Sequence, residues 1–204
     1  MLRGGIGRRS SRATRSLVGV LATSLLLGGC GLLGKTTSLV ADAPLTMSVT
    51  SPEFSNRVIP ARFTCYGTGV SPPIFWSAPP PGTKSLALVV DDSATPISPR
   101  VYWFVFDISP TTTDLQVGTL PPHAREATNS AGNARYHAPC PHGSPHNYRF
   151  TVYALNTSFG SSLPGNPGLL QVLTAIAPHV TARGTLTARA CPLRDFSSCR
   201  TPGT

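Results

Sequence analysis

Acids are scarce in this chain. Only eight Asp and Glu occur among 204 residues, against seventeen Lys and Arg. Paired carboxylates for glycoside hydrolysis have little to draw on, the one adjacent pair being Asp91 and Asp92. No Gly-x-Ser-x-Gly elbow is present to set a hydrolase serine on a strand–helix turn. No internal repeat is visible, and no basic stripe or RNA-binding motif points to nucleic acid. Long apolar runs are missing as well. Leu17–Leu27, "LVGVLATSLLL", is almost wholly apolar but only eleven residues long. A bilayer core of about 30 Å needs roughly 20.

What precedes that run gives it meaning. Residues 1–16 hold five arginines (Arg3, Arg8, Arg9, Arg12, Arg15) and no acid. A basic stretch, a short apolar stretch and small residues make a secretory signal. The segment ends Leu27-Gly28-Gly29-Cys30, which resembles the lipobox of bacterial lipoproteins. The resemblance implies cleavage before Cys30 and a diacylglyceryl thioether on its sulfur. Two acyl chains suffice for stable anchoring, where one is marginal. The expected organisation is therefore a signal peptide over 1–29 and a lipid-anchored tether over 30–44. A domain over 45–190 and a C-terminal tail over 191–204 follow. The mature chain is expected on the extracytoplasmic face of the cell membrane. Removing the five signal arginines from the formal +9 leaves +4. The tether "GLLGKTTSLVADAP", if flexible, spans about 20 Å.

The five cysteines fit that compartment. Lipidating Cys30 leaves Cys65, Cys140, Cys191 and Cys199, and an oxidising environment permits disulfides among them. Four cysteines allow three pairings. Cys191 and Cys199 bracket the short "PLRDFSS", and parity then leaves Cys65 with Cys140. The alternative is four free thiols.

Within the domain, "LTMSV", "RVIPARF", "PIFW", "SLALVV", "VYWFVFDI", "YRFTVYAL" and "GTLTARA" read as strands. Turn signals such as "YGTGVSPP" and "APPPGTK" separate them. One helix is expected near 167–177, with Leu169, Leu170, Leu173 and Ile176 at helical spacing, Pro167 before it and Pro178 ending it. The class is mainly β: an antiparallel sandwich with one or two short helices. Strand alternation places Tyr102 on the face shared by Phe104 and Phe106, opposite Trp103 and Val105.

Three stretches together resemble the phosphatidylethanolamine-binding (Raf kinase inhibitor-like) family, in its bacterial branch. They are "SPEFSNRVIPARFTCYGTGVSPPIFWSAPPPGTKSLALVVDD", "VYWFVFDISPTTTDL" and "HAPCPHGSPHNYRFTVYAL". The resemblance covers about residues 48–190 and implies that family's β-sandwich. It also implies a small pocket for anions such as phosphate or a phospholipid head group. Matched position by position, it puts Asp92 at the first acidic place of the family's Asp-Pro-Asp-x-Pro segment. Tyr102 stands in place of a strand histidine, and Pro139, His146 and Tyr148 are retained. Ser93 and Ala94 depart from the Asp-Pro-Asp pattern, Ala138 from a glycine and Asn147 from an arginine. The imidazole of His146 is the kind of group that can carry charge near neutral pH. The two phenols can donate hydrogen bonds, and Asp92 can orient a donor.

The loop "RYHAPCPHGSPHNY" also invites a metal reading, since His142 and His146 have H-x₃-H spacing. Pro145 lies between them and Cys140 lacks a C-x₂₋₄-C companion, so neither a metal nor any other cofactor is expected. His137 and His142 are expected to be exposed loop residues. A hydrolase would need His146, oriented by Asp91 or Asp92, beside Ser93 or Ser144; this is the minority reading. The leading one is a non-enzymatic lipoprotein that binds a small anionic or polar ligand, or a partner protein, through Asp92, Tyr102, Pro139, His146 and Tyr148. A vestigial pocket on an envelope interaction protein is the rival.

Overall fold

The computed structural model describes residues 43–93, 100–195 and 199. The expected signal peptide, Cys30 and all of the tether except Ala43 and Pro44 lie outside them. Among the described residues no helix is long and apolar enough to cross a membrane.

Two antiparallel sheets make the body. The larger runs β6-β4-β3-β7-β8, from β3 (Ser85–Asp92), β4 (Val101–Ile108), β6 (Arg125–Glu126), β7 (His146–Leu155) and β8 (Val180–Ala190). The smaller runs β1-β2-β5, from β1 (Val49–Thr50), β2 (Ile74–Trp76) and β5 (Asp114–Leu115). The helix α1 (Leu169–Ile176) precedes β8. It buries Val172 and Ile176 and leaves Leu170 exposed.

The large sheet is covered on both faces, which explains its near-continuous apolar runs. Between the sheets, Val49, Ile74 and Trp76 meet Leu86, Leu88, Val90, Phe150 and Val152. On the other face, Ala87, Val89, Phe104, Phe106 and Tyr153 pack with Val172 and Ile176 of α1. All eight residues of β3 are buried, its two aspartates included.

The strand readings for β2, β3, β4, β7, β8 and the late helix hold. Two do not. "RVIPARF" forms 3₁₀ turns, Ser55–Arg57 and Ala61–Phe63; Pro60, without an N–H, interrupts any ladder there. "LTMSV" contributes only Val49 to a strand, while Leu45 makes a lone parallel bridge to Arg183. That segment crosses β8 so closely that a Cβ on Gly184 would lie 2.5 Å from the Met47 carbonyl oxygen. Only glycine permits such an approach.

One face assignment also needs correction. Val90 pairs with Trp103 and the next residue, Asp91, pairs with Val101, so Tyr102 is an extra residue on β4. This β-bulge breaks the two-residue period. Tyr102 therefore joins Trp103 and Val105 between the sheets, not Phe104 and Phe106 on the helix side.

Candidate functional site

The same bulge builds the site. β3 ends at Asp92, whose register partner on β7 is Tyr148; one strand further out, His146 pairs with Ala190. Even-numbered residues of β3 and β7 point between the sheets here, so Asp92, His146 and Tyr148 share a side, and the bulge adds Tyr102 to it.

Asp92 Oδ2 lies 2.8 Å from His146 Nδ1, with the carboxylate side chain 4% exposed and the imidazole 32%. A carboxylate accepts, so the hydrogen sits on Nδ1 and Nε2 is the nitrogen left for a ligand. The rings of Tyr102 and Tyr148 meet edge to face, 5.1 Å apart. His146 stacks on Tyr148 with centroids 6.4 Å apart. Burial pushes the Tyr102 hydroxyl above the ordinary phenol range, with the Asp92 charge adding to it. Burial also lifts Tyr148 well above that range, helped by Tyr102 and Asp92. Both phenols stay protonated at any physiological pH; they hydrogen-bond to each other, Tyr148 donating to Tyr102, which leaves the Tyr102 O–H as the outward donor.

Pro139 is placed differently. It is buried, and its carbonyl accepts the Cys65 amide at 3.0 Å. The loop reaches the cluster through its neighbour His137, whose N–H donates to the Tyr102 carbonyl at 2.9 Å. Cys140 is bonded to Cys65 with Cα atoms 5.1 Å apart, and Tyr66 donates its hydroxyl to the Pro141 carbonyl. The loop is thus tied down at both ends. Cys191 and Cys199 form the other disulfide, with Cα atoms 6.3 Å apart.

Two contributors escaped the sequence reading. His137 is half-buried, not exposed, and its ring lies 5.7 Å from that of Tyr102; His142 is exposed as expected. Arg100 sets its guanidinium 5.9 Å from the Tyr102 ring and accepts the Asp92 amide on its own carbonyl at 3.0 Å. It brings positive charge to the site that no motif announced.

The other candidate roles separate cleanly. Asp91 faces the helix side and pairs with Arg149, so it cannot orient His146. Burial nonetheless raises the Asp91 carboxyl above its usual range, against the Arg149 hydrogen bond and charge. The Ser93 hydroxyl donates to the Asn147 carbonyl at 2.8 Å and is not directed at the imidazole. Among the described residues no cluster of three His, Cys, Asp or Glu could hold a metal, and Cys140 is already bonded to Cys65.

The phosphatidylethanolamine-binding protein family model matches residues 50–190. A "UPF0098 protein" of Methanothermobacter thermautotrophicus is 36% identical over 148 residues, 69% of this chain and 95% of its own. "Putative lipoprotein LppC" of Mycobacterium tuberculosis is 34% identical over 184 residues, covering 81% of this chain and 90% of its own. Among solved structures, YbcL of E. coli, described as a new member of the mammalian PEBP family, superposes with a TM-score of 0.63 at 30% identity. That match covers 71% of this chain and 97% of YbcL. A fold shared over nearly the whole of such relatives, with the sequence match spanning both sheets, is decisive: the chain belongs to the phosphatidylethanolamine-binding protein family.

Proposed function

We propose that this protein is a lipid-anchored, extracytoplasmic binding protein. Its ligand is a small anion or polar head group of the phosphate or phospholipid type, held by Asp92, Tyr102, His146 and Tyr148, with the Pro139 loop as a wall. The observation that carries the reading is the 2.8 Å contact between Asp92 Oδ2 and His146 Nδ1. It occupies Nδ1 and leaves Nε2 of a part-exposed imidazole for a ligand. An anion approaching Nε2 favours the imidazolium form, which then bridges the anion and Asp92 by charge-assisted hydrogen bonds. The Tyr102 hydroxyl, which accepts from Tyr148, and Arg100 add a donor and positive charge on the same side.

The experiment is titration of the protein with phosphate and with phosphoethanolamine while the His146 ring resonances are followed by NMR. Saturable shifts are expected, and they should vanish in Tyr102→Phe combined with Arg100→Ala. No shift at millimolar ligand would remove the small-ligand reading. Capture of a partner from solubilised membranes that survives His146→Ala and Tyr102→Ala would then favour an interaction protein with a vestigial pocket.

Anchoring rests on the Leu-Gly-Gly-Cys30 segment and on similarity to a protein named as a lipoprotein. The intact mature protein is expected to exceed the mass of residues 30–204 by a lipid modification. Cys30→Ala is expected to leave an unprocessed precursor.

A further inference from the structure

On β4, Trp103 follows the bulged Tyr102, and its indole N–H reaches the edge strand β6. There it donates to Glu126 Oε1 at 2.6 Å. Glu126 is half-buried, and that burial raises its carboxyl above the usual range against the pull of the indole N–H. Its neighbour Arg125 serves another face: the guanidinium donates to the Gly160, Leu163 and Pro164 carbonyls and pairs with Asp107. Among the described residues no ion pair includes Glu126. A partly desolvated carboxylate with one neutral donor and no cation paired to it is under-compensated.

Open space adjoins it. A hollow of about 330 Å³ is bounded by Trp103, Glu126 and Tyr136, with Val70 and Leu120 as apolar wall and Arg135 at the rim. That volume sits at the small end of ligand sites. The Tyr136 hydroxyl donates to the Phe63 carbonyl and the Tyr136 ring packs edge-on to Trp103, 5.4 Å away, so this side of the hollow is fixed.

We infer that Glu126 is the anionic contact of a second binding site, one that takes the ammonium group of a small organic amine, with the amine's alkyl part against Val70 and Leu120. The ammonium supplies the missing counter-charge and several N–H donors. Glu126 Oε2 is the acceptor, while Oε1 stays with Trp103. This site is separate from Asp92 and His146 in both residues and ligand charge.

The test uses n-butylammonium on the full chain, with n-butanol as the uncharged probe of similar size. The readout is the pair of indole N–H resonances. Trp76, whose N–H donates to the Thr112 carbonyl at 2.9 Å, is the internal reference. A saturable shift of the Trp103 resonance is expected with the amine, none with the alcohol, and Trp76 should stay in place. Glu126→Gln keeps an acceptor for Trp103 and removes the charge, so amine affinity should fall at least tenfold while the phosphate response at His146 persists. The amine–alcohol comparison needs no variant, so it decides even if Glu126→Gln does not fold. Equal shifts from both probes, no shift from either, or amine binding untouched by Glu126→Gln would overturn the proposal. So would amine binding that emerges only in Arg135→Ala, since Arg135 would then be the hollow's own cation.

Discussion

The two disulfides differ sharply in the loops they close, and the difference can be measured. Cys65–Cys140 spans a sequence separation of 75 and Cys191–Cys199 one of 8. The chain-entropy relation assigns about 4.5 kcal/mol to the longer loop and about 2.5 kcal/mol to the shorter. Cys65→Ala with Cys140→Ala should therefore cost about 2 kcal/mol more than Cys191→Ala with Cys199→Ala, roughly a 30-fold difference in the folding equilibrium. Urea unfolding of both double variants and the parent protein, without reductant, gives the comparison. The longer bridge has a second role. It pins the loop that carries Pro139 and that hands the His137 amide to the Tyr102 carbonyl. Its removal should also blunt the His146 response to phosphate, whereas loss of the shorter bridge should leave that response intact. If the two variants are equally stable, or if the native protein reacts with a thiol reagent at four cysteines, the reasoning fails.

Asp107 stands at φ 54° and accepts the Phe159 and Gly160 amides at 2.7 and 3.0 Å. Asp107→Ala should cost about 2–4 kcal/mol by urea unfolding, because two N–H groups lose a charged acceptor; a loss below about 1 kcal/mol would show that water replaces it. Asp107→Asn should cost less, since Asn tolerates the left-handed backbone. Tyr102 and Tyr148 should couple in a double-mutant cycle (each to Leu) by about 0.5–1.5 kcal/mol, the range for an edge-to-face pair, and additive losses would deny the contact. Burial raises Glu126 in the folded state, so the folded protein holds that proton more tightly than the unfolded one. Stability should then be greatest below the unfolded carboxyl range, fall as pH rises through the raised folded value, and level off above it. Glu126→Gln should shrink the decline that begins at the ordinary carboxylate range in urea midpoints, and Asp91, raised in the same direction, should leave part of it.

Local pattern made much of this architecture legible. "SLALVV", "VYWFVFDI" and "YRFTVYAL" became the central strands, because an apolar run buried on both faces of a sheet keeps its signature whatever its neighbours are. Pro167 and Pro178 bracketed the helix for reasons confined to their own rings. The order of Asp92, His146 and Tyr148 along the chain carried the family likeness. Which way each side chain faces was another matter. Tyr102 changed sides because a bulge on β4 is defined against β3, and no alternation count within β4 can reveal it. Asp91 and Asp92 are indistinguishable as neighbours in sequence. The pleat sends one to Arg149 and the other to His146.

By itself, then, the sequence determined that this chain folds into an antiparallel sandwich with a late helix, because hydrophobic period and proline placement act within a few residues. Only the tertiary structure decided that His137 and Arg100 flank the phenols, and that Glu126 borders a hollow while making no ion pair among the described residues. Those outcomes depend on strand register and loop closure between segments tens of residues apart, and on how much water each carboxylate retains.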